Sequence, residues 1–281
     1  MKDLNDYKKI GEELIDKLKL TTFPIAVKIF KKGEEIPPSG KIIRPNQFFG
    51  EAVATCTSHL WCRRSGLSFY IEGEDISCSP SCYLYFGLEE TENHPEPVYE
   101  SWARYAGFKR NLAAEKSSRA TDATFKPGEI EGFLISPLHI TIAKPDVIII
   151  FCTPLSLGHL ILAATYDGDC INSDFNGMEA SCKGLVKTYQ SKKCNIACPG
   201  LGDRMLGNAQ DNEMMFFIPE SKLEMVANNI FKAGSKQQGP KSKMTIPHII
   251  TSVGSQRMYG QTADPPQWKY VRRKKKISFL V

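Results

Sequence analysis

The sequence predicts a mixed α/β (α+β) domain: a central, mostly buried sheet with flanking helices, followed by an extended basic C-terminal arm. Three observations carry this. The run Val147-Ile148-Ile149-Ile150-Phe151-Cys152 is apolar at every position, as in a strand covered on both faces. The stretches "DVIIIFCTPLSLGHLILAAT" and "NEMMFFIPESKLEMVANNI" echo one another as apolar strand, proline, then a helix containing an early serine. After residue 233 the chain turns polar and proline-containing and ends on a basic run. The expected organisation is one α/β domain over 1–233 and an arm over 234–281.

Taken in order, Leu4, Tyr7, Ile10, Leu14 and Leu18 recur at helical spacing, which predicts a helix over 3–20. "FPIAVKIF" (23–30) reads as a strand and "KKGEEIPPSG" as a turn-rich loop. Pro45 opens a second helix, with Phe49, Ala52, Val53, Cys56 and Leu60 on its apolar face, so Cys56 is expected to point inward. "LSFYI" (67–71) is strand-like, and "EGEDISCSPSC" is a loop carrying Cys78 and Cys82. Residues 96–116 are expected to be helical. "GFLISPLHI" and "DVIIIFC" read as strands, "LSLGHLILAATY" and "MEASCKGLVKTYQ" as helices, and "EMMFFIP" as a strand before the helix "ESKLEMVANNIFKAG".

The 281 residues, 42% hydrophobic and 24% charged, have ordinary globular composition. The longest apolar run is far short of the roughly 20 residues that span a bilayer, and the charged N-terminus lacks the apolar core of a secretory signal. These features predict a cytoplasmic protein with no membrane partner. The net charge of +5 is concentrated in "KYVRRKKK" (269–276), which holds six basic side chains. The absence of any recognisable nucleic-acid motif argues against nucleic acid as the partner. The apolar ending "ISFLV" favours docking against protein, so the arm is expected to support a homo-oligomer.

Nine cysteines cannot pair completely, and a cytosolic setting keeps ordinary thiols reduced. Some are packing residues. Others stand in Gly/Pro/Asp-rich contexts, "CNIACPGLGDR" (194–204) above all, where metal ligation or redox chemistry is the alternative to be weighed. Their spacings match neither a zinc knuckle, a ferredoxin run nor a thioredoxin pair. His59, three residues after Cys56, is in reach of the same site but reads as a core or surface histidine. The acidic stretch "YDGDCINSDFNG" lacks the closing Gly-x5-Glu of a calcium loop.

The chain resembles the domain-of-unknown-function family numbered 169, the archaeal conserved region family, from about residue 10 to about residue 232. The resemblance rests on "FPIAVKIF", on Cys56 followed by "CRRSG", on "EDISCSPSCYLYFGL", on "GMEASC", and on "CPGLGDR" with "DNEMMFFIP" after it. The turn from Cys198 to Arg204 is two residues longer than the family pattern. The resemblance places Cys56, Cys78, Cys182 and Cys198 at patterned positions and leaves Cys62, Cys82, Cys152, Cys170 and Cys194 as extras. Four thiols close an iron–sulfur or zinc site. The expectation is therefore a metal-binding, cysteine-ligated iron–sulfur protein of anaerobic metabolism, with a 4Fe–4S cluster favoured and oxidoreductase character. Arg204 and Glu213 are the expected cofactor-side groups, and an electron-transfer partner or small-molecule substrate is implied. The alternatives are a zinc-stabilised binding or assembly module and a metal-free thiol enzyme or ligand-binding α/β domain with one low-pKa cysteine.

Overall fold

The structure is a computed structural model describing residues 3–36, 42–78, 84–88, 96–175, 177–230 and 232–233. Cys82 and the arm from residue 234, with its basic run, lie outside the described residues. The chain divides into two compact units, Met1–Ile230 and Phe231–Val281, and the fold is that of the first.

Helix α1 (Leu4–Leu18) opens on a capping box between Asp3 and Asp6 and buries Tyr7, Gly11, Leu14 and Leu18. The chain continues through β1 (Ile25–Lys31), β2 (Ile42–Ile43), α2 (Pro45–Phe49), α3 (Thr55–Ser65) and β3 (Ser68–Ile71). The single helix expected after Pro45 is two. Gly50 takes a left-handed conformation (φ 75°) that ends α2, and Val53 then bridges to Ile76 before the chain turns helical again. The helix expected over 96–116 is likewise interrupted: α4 (Glu96–Ser101) runs into a π turn over Trp102–Ala106, left-handed Gly107 stops it, and α5 (Leu112–Arg119) starts afresh under an Asn111 cap.

The second half comprises β4 (Ile130–Pro137), β5 (Val147–Cys152), α6 (Pro154–Thr165), β6 (Asn172–Asp174), α7 (Ala180–Ser191), β7 (Asn195–Ala197), α8 (Leu201–Met205), β8 (Met214–Pro219) and α9 (Glu220–Asn229). The eight strands form one mixed sheet, ordered β2-β3-β4-β1-β5-β8-β7-β6. The two echoing strands are neighbours, paired antiparallel from Val147↔Pro219 to Cys152↔Met214.

Side chains alternate across this sheet. Val147, Ile149 and Phe151 face one core with Met215, Phe217 and residues of α3 and α7. Ile148, Ile150 and Cys152 face the other, with Phe216, Ile218 and residues of α1, α6 and α9. The helices therefore form two layers on one buried sheet. Gly184 of α7 lets that helix lie directly on β8, since a Cβ there would sit 2.4 Å from the Phe217 ring. No helix among the described residues is long and apolar enough to cross a membrane.

Candidate functional site

Cys56 is the second residue of α3 and Cys182 the third of α7. The residue preceding each helix, Ala54 and Glu179, gives its own helix no side-chain cap. Asp203, the third residue of α8, supplies one across the fold. Its fully buried carboxylate accepts the Ser181 backbone N–H and hydroxyl, the Gly200 N–H at 3.0 Å and the Cys56 thiol at 3.6 Å. Burial pushes the Asp203 carboxyl up, and these hydrogen bonds pull against it.

Ser181 Oγ lies 3.8 Å from Cys56 Sγ and 4.0 Å from Cys182 Sγ. Burial drives the Cys56 thiol well above its ordinary range, Asp203 adds to the shift, and the sulfurs of Cys182 and Cys78 add smaller shares. Cys56, Cys78 and Cys182, from three separated segments, thus occupy one electrostatic neighbourhood. Among the described residues, no three His, Cys, Asp or Glu side chains surround a single point in the manner of a metal-ion site.

The glycine-rich turn lies against this neighbourhood. A Cβ at Gly202 would stand 3.3 Å from Cys56 Sγ, and one at Gly200 would stand 3.1 Å from the backbone at Met178–Glu179, just before α7. Cys198, at the head of the turn, is half-buried and its Sγ is 3.9 Å from Arg204 Nη2. Arg204 faces Asp211 at 3.6 Å and the Gln210 carbonyl at 3.4 Å. Glu213 is committed elsewhere: it accepts from Arg63 Nη1 at 2.8 Å and from the Gln210 N–H at 2.8 Å.

Among the described residues, Cys62 of α3 packs in the same core as Cys182, whereas Cys152 and Cys194 lie in the opposite core, where burial lifts both of the latter to about 12. Cys170 is exposed.

Two features escaped the sequence reading. Asp203, in the glycine-rich turn, is buried at the centre. Arg63, 0% exposed, bonds Glu213 and the carbonyls of Gly207 and Asn208, and its guanidinium stacks 4.2 Å from the Phe151 ring centroid. Its spacing of seven from Cys56 was a usable signal, because it puts both on one helix face. His59, between them, is also buried, and neither ring nitrogen has a hydrogen-bond partner; burial lowers it to about 4.

Behind α7 lies a buried ionic network. Arg119 bonds Glu115 at 2.6 Å, the Tyr85 hydroxyl at 2.6 Å and Glu179 at 2.9 Å, stacking 4.0 Å from Trp102. Asp122 links Tyr85 to Lys183, the neighbour of Cys182. Glu179 is held left-handed (φ 40°), a conformation that costs a non-glycine residue on the order of 1–2 kcal/mol. The network holds the backbone at the start of α7 against that cost.

The sequence signature of the domain-of-unknown-function family 169, described as uncharacterised ArCR, matches residues 13–229. The chain belongs to this family. The chain is also similar to "Uncharacterized protein MJ0308" of Methanocaldococcus jannaschii, 24% identical over 232 residues that cover 81% of this chain and 95% of that protein. No solved structure matches the chain. The matched span contains the thiols, Asp203 and Arg63.

Proposed function

We propose that this is a cytoplasmic, cysteine-ligated iron–sulfur protein of anaerobic metabolism, oxidoreductase in character, with Cys56, Cys78 and Cys182 as thiolate ligands and Cys198 as the fourth. The observation carrying this reading is that Cys56 and Cys182, at the starts of two helices, lie on either side of the Ser181 hydroxyl, with Cys78 contributing to the same electrostatic surroundings from the loop after β3. Backbone N–H groups in a helix's first turn favour negative charge and so work against the burial that raises the Cys56 thiol. A bound cluster would supply one-electron transfer to a partner or small-molecule substrate. Asp203 holds the Cys56 proton that ligation has to displace. Arg204, beside Cys198 Sγ, offsets negative charge at the exposed edge.

The experiment is anaerobic purification of the full chain with iron and acid-labile sulfide assays, before and after reconstitution. Wild type is expected to be brown and to hold both elements. Cys56→Ala and Cys182→Ala should lose most of them, while Cys152→Ala and Cys194→Ala keep them. Protein that stays colourless and iron-free after reconstitution ends the proposal, and stoichiometric zinc in its place would convert it to the zinc module.

A further inference from the structure

A second concave site lies at the other end of α3, and nothing in the thiol chemistry uses it. It is a cleft of about 490 Å³ between the end of α1, the end of α3, the start of α6 and the loop before β8. Two cations, Lys19 and Arg64, stand on its walls. Thr153 caps the twelve-residue helix α6 through the Ser156 N–H, Ser156 Oγ bonds the Leu18 carbonyl at 3.1 Å, and Phe151 gives an apolar floor. Glu213 also lines it, 3.9 Å from Arg64, and Lys19 pairs with exposed Asp16 at 2.7 Å; with Arg63 bonded to Glu213 from within the core, three cations stand against two carboxylates.

The loop forming one wall is held in an unusual way. Arg63 spends a fully buried guanidinium on the carbonyls of Gly207 and Asn208 and on Glu213. Asn208 is kept left-handed (φ 47°), and its carbonyl also receives Arg64 Nη2 at 3.4 Å and Gln210 Nε2 at 3.0 Å. A buried charged pair contributes little net stability, because desolvating it opposes the gain. What it does provide is a fixed loop, and strained backbone held by such supports clusters at ligand sites.

We infer that this cleft binds a small metabolite bearing an oxyanion, carboxylate or phosphate, with its charge on Lys19 and Arg64 and its body against Phe151. The inference is independent of whether the thiols hold a cluster. Arg63 is then a positioning residue and Arg64 a binding residue, although they are adjacent in sequence.

Calorimetric titration of the full chain with inorganic phosphate and, separately, with succinate at fixed ionic strength tests it; the preferred anion tells phosphate from carboxylate recognition. At least one is expected to bind saturably at one site per chain. Arg64→Met and Lys19→Met should each weaken that binding about tenfold or more, the loss expected for a charge-assisted hydrogen bond. Both positions are partly exposed, so the ligand-free melting temperatures should stay close to wild type, and an Arg64→Lys variant should recover part of the affinity. Failure of both anions to bind saturably at millimolar concentration overturns the inference. So does a Lys19→Met/Arg64→Met double variant that binds as wild type does.

Discussion

On one face of the sheet, α1, α6 and α9 bury Leu14, Leu157, Leu160, Leu223 and Val226, and none of their buried residues is Asp, Glu, Lys or Arg. On the other, α3, α5, α7 and α8 bury Arg63, Glu115, Arg119, Lys183 and Asp203. Both faces are covered by helices and drawn from the same strands, so sheet packing does not require the difference. Burying a charge costs several kcal/mol unless it is paired and hydrogen-bonded. The second face carries that cost repeatedly, and it is where the thiols gather. Cysteines follow the same division: Cys152 and Cys194 behave as small hydrophobes on the plain face, while Cys56 hydrogen-bonds a buried carboxylate on the polar one.

The sharpest way to break this comparison is Arg63→Leu. Removing the guanidinium strands Glu213 and frees two carbonyls, so equilibrium denaturation should show a loss of about 3–5 kcal/mol. A loss no larger than that of a surface change would mean that Arg63 is peripheral and the contrast between faces overstated.

The next effect is pH-dependent and belongs to His59. Its folded-state value, about 4, lies below the ordinary 6.5, so the unfolded chain binds the proton more readily. Stability from this group is full above pH 6.5 and is lost as pH falls toward 4, to the extent of about 3 kcal/mol. His59→Leu should flatten that part of the stability–pH curve and leave the shares of His139 and His159 in place. An unchanged acid slope in the variant would show that the imidazole is solvated in the folded protein.

The smallest effect sharpens the other side. Cys152→Ala and Cys194→Ala should each cost about 1 kcal/mol, the loss of one small buried group, and leave iron content untouched. A change in metal content from either would place chemistry on the plain face.

The sequence made the strong periodic elements legible. The β5 run is buried on both faces as its composition demands, and the echo with β8 corresponds to adjacent strands whose helices share a layer. The edges were harder. Strands β2, β6 and β7 are two or three residues long, and Asn172-Ser173-Asp174 has no apolar alternation to announce it. Of the family-patterned cysteines, Cys56 and Cys182 both lie beside the Ser181 hydroxyl, Cys78 contributes only a small electrostatic share to Cys56, and Cys198 is seen against Arg204. Asp203 was obscured because a local "GLGDR" reads as a solvated turn. Its burial is decided by Cys56 and Ser181, 147 and 22 residues away in the chain. Arg63 was hidden in the same way, since a doubled arginine before a glycine resembles a helix end facing water.

The carboxylate of Asp203 ties together the starts of two helices that lie far apart in the order of synthesis. A ribosome has made more than two-thirds of the polypeptide before that group exists to fasten them. Until then the sulfur of Cys56 lacks its acceptor. An inorganic centre held by these thiols would therefore be completed only after more than two-thirds of the chain has been made.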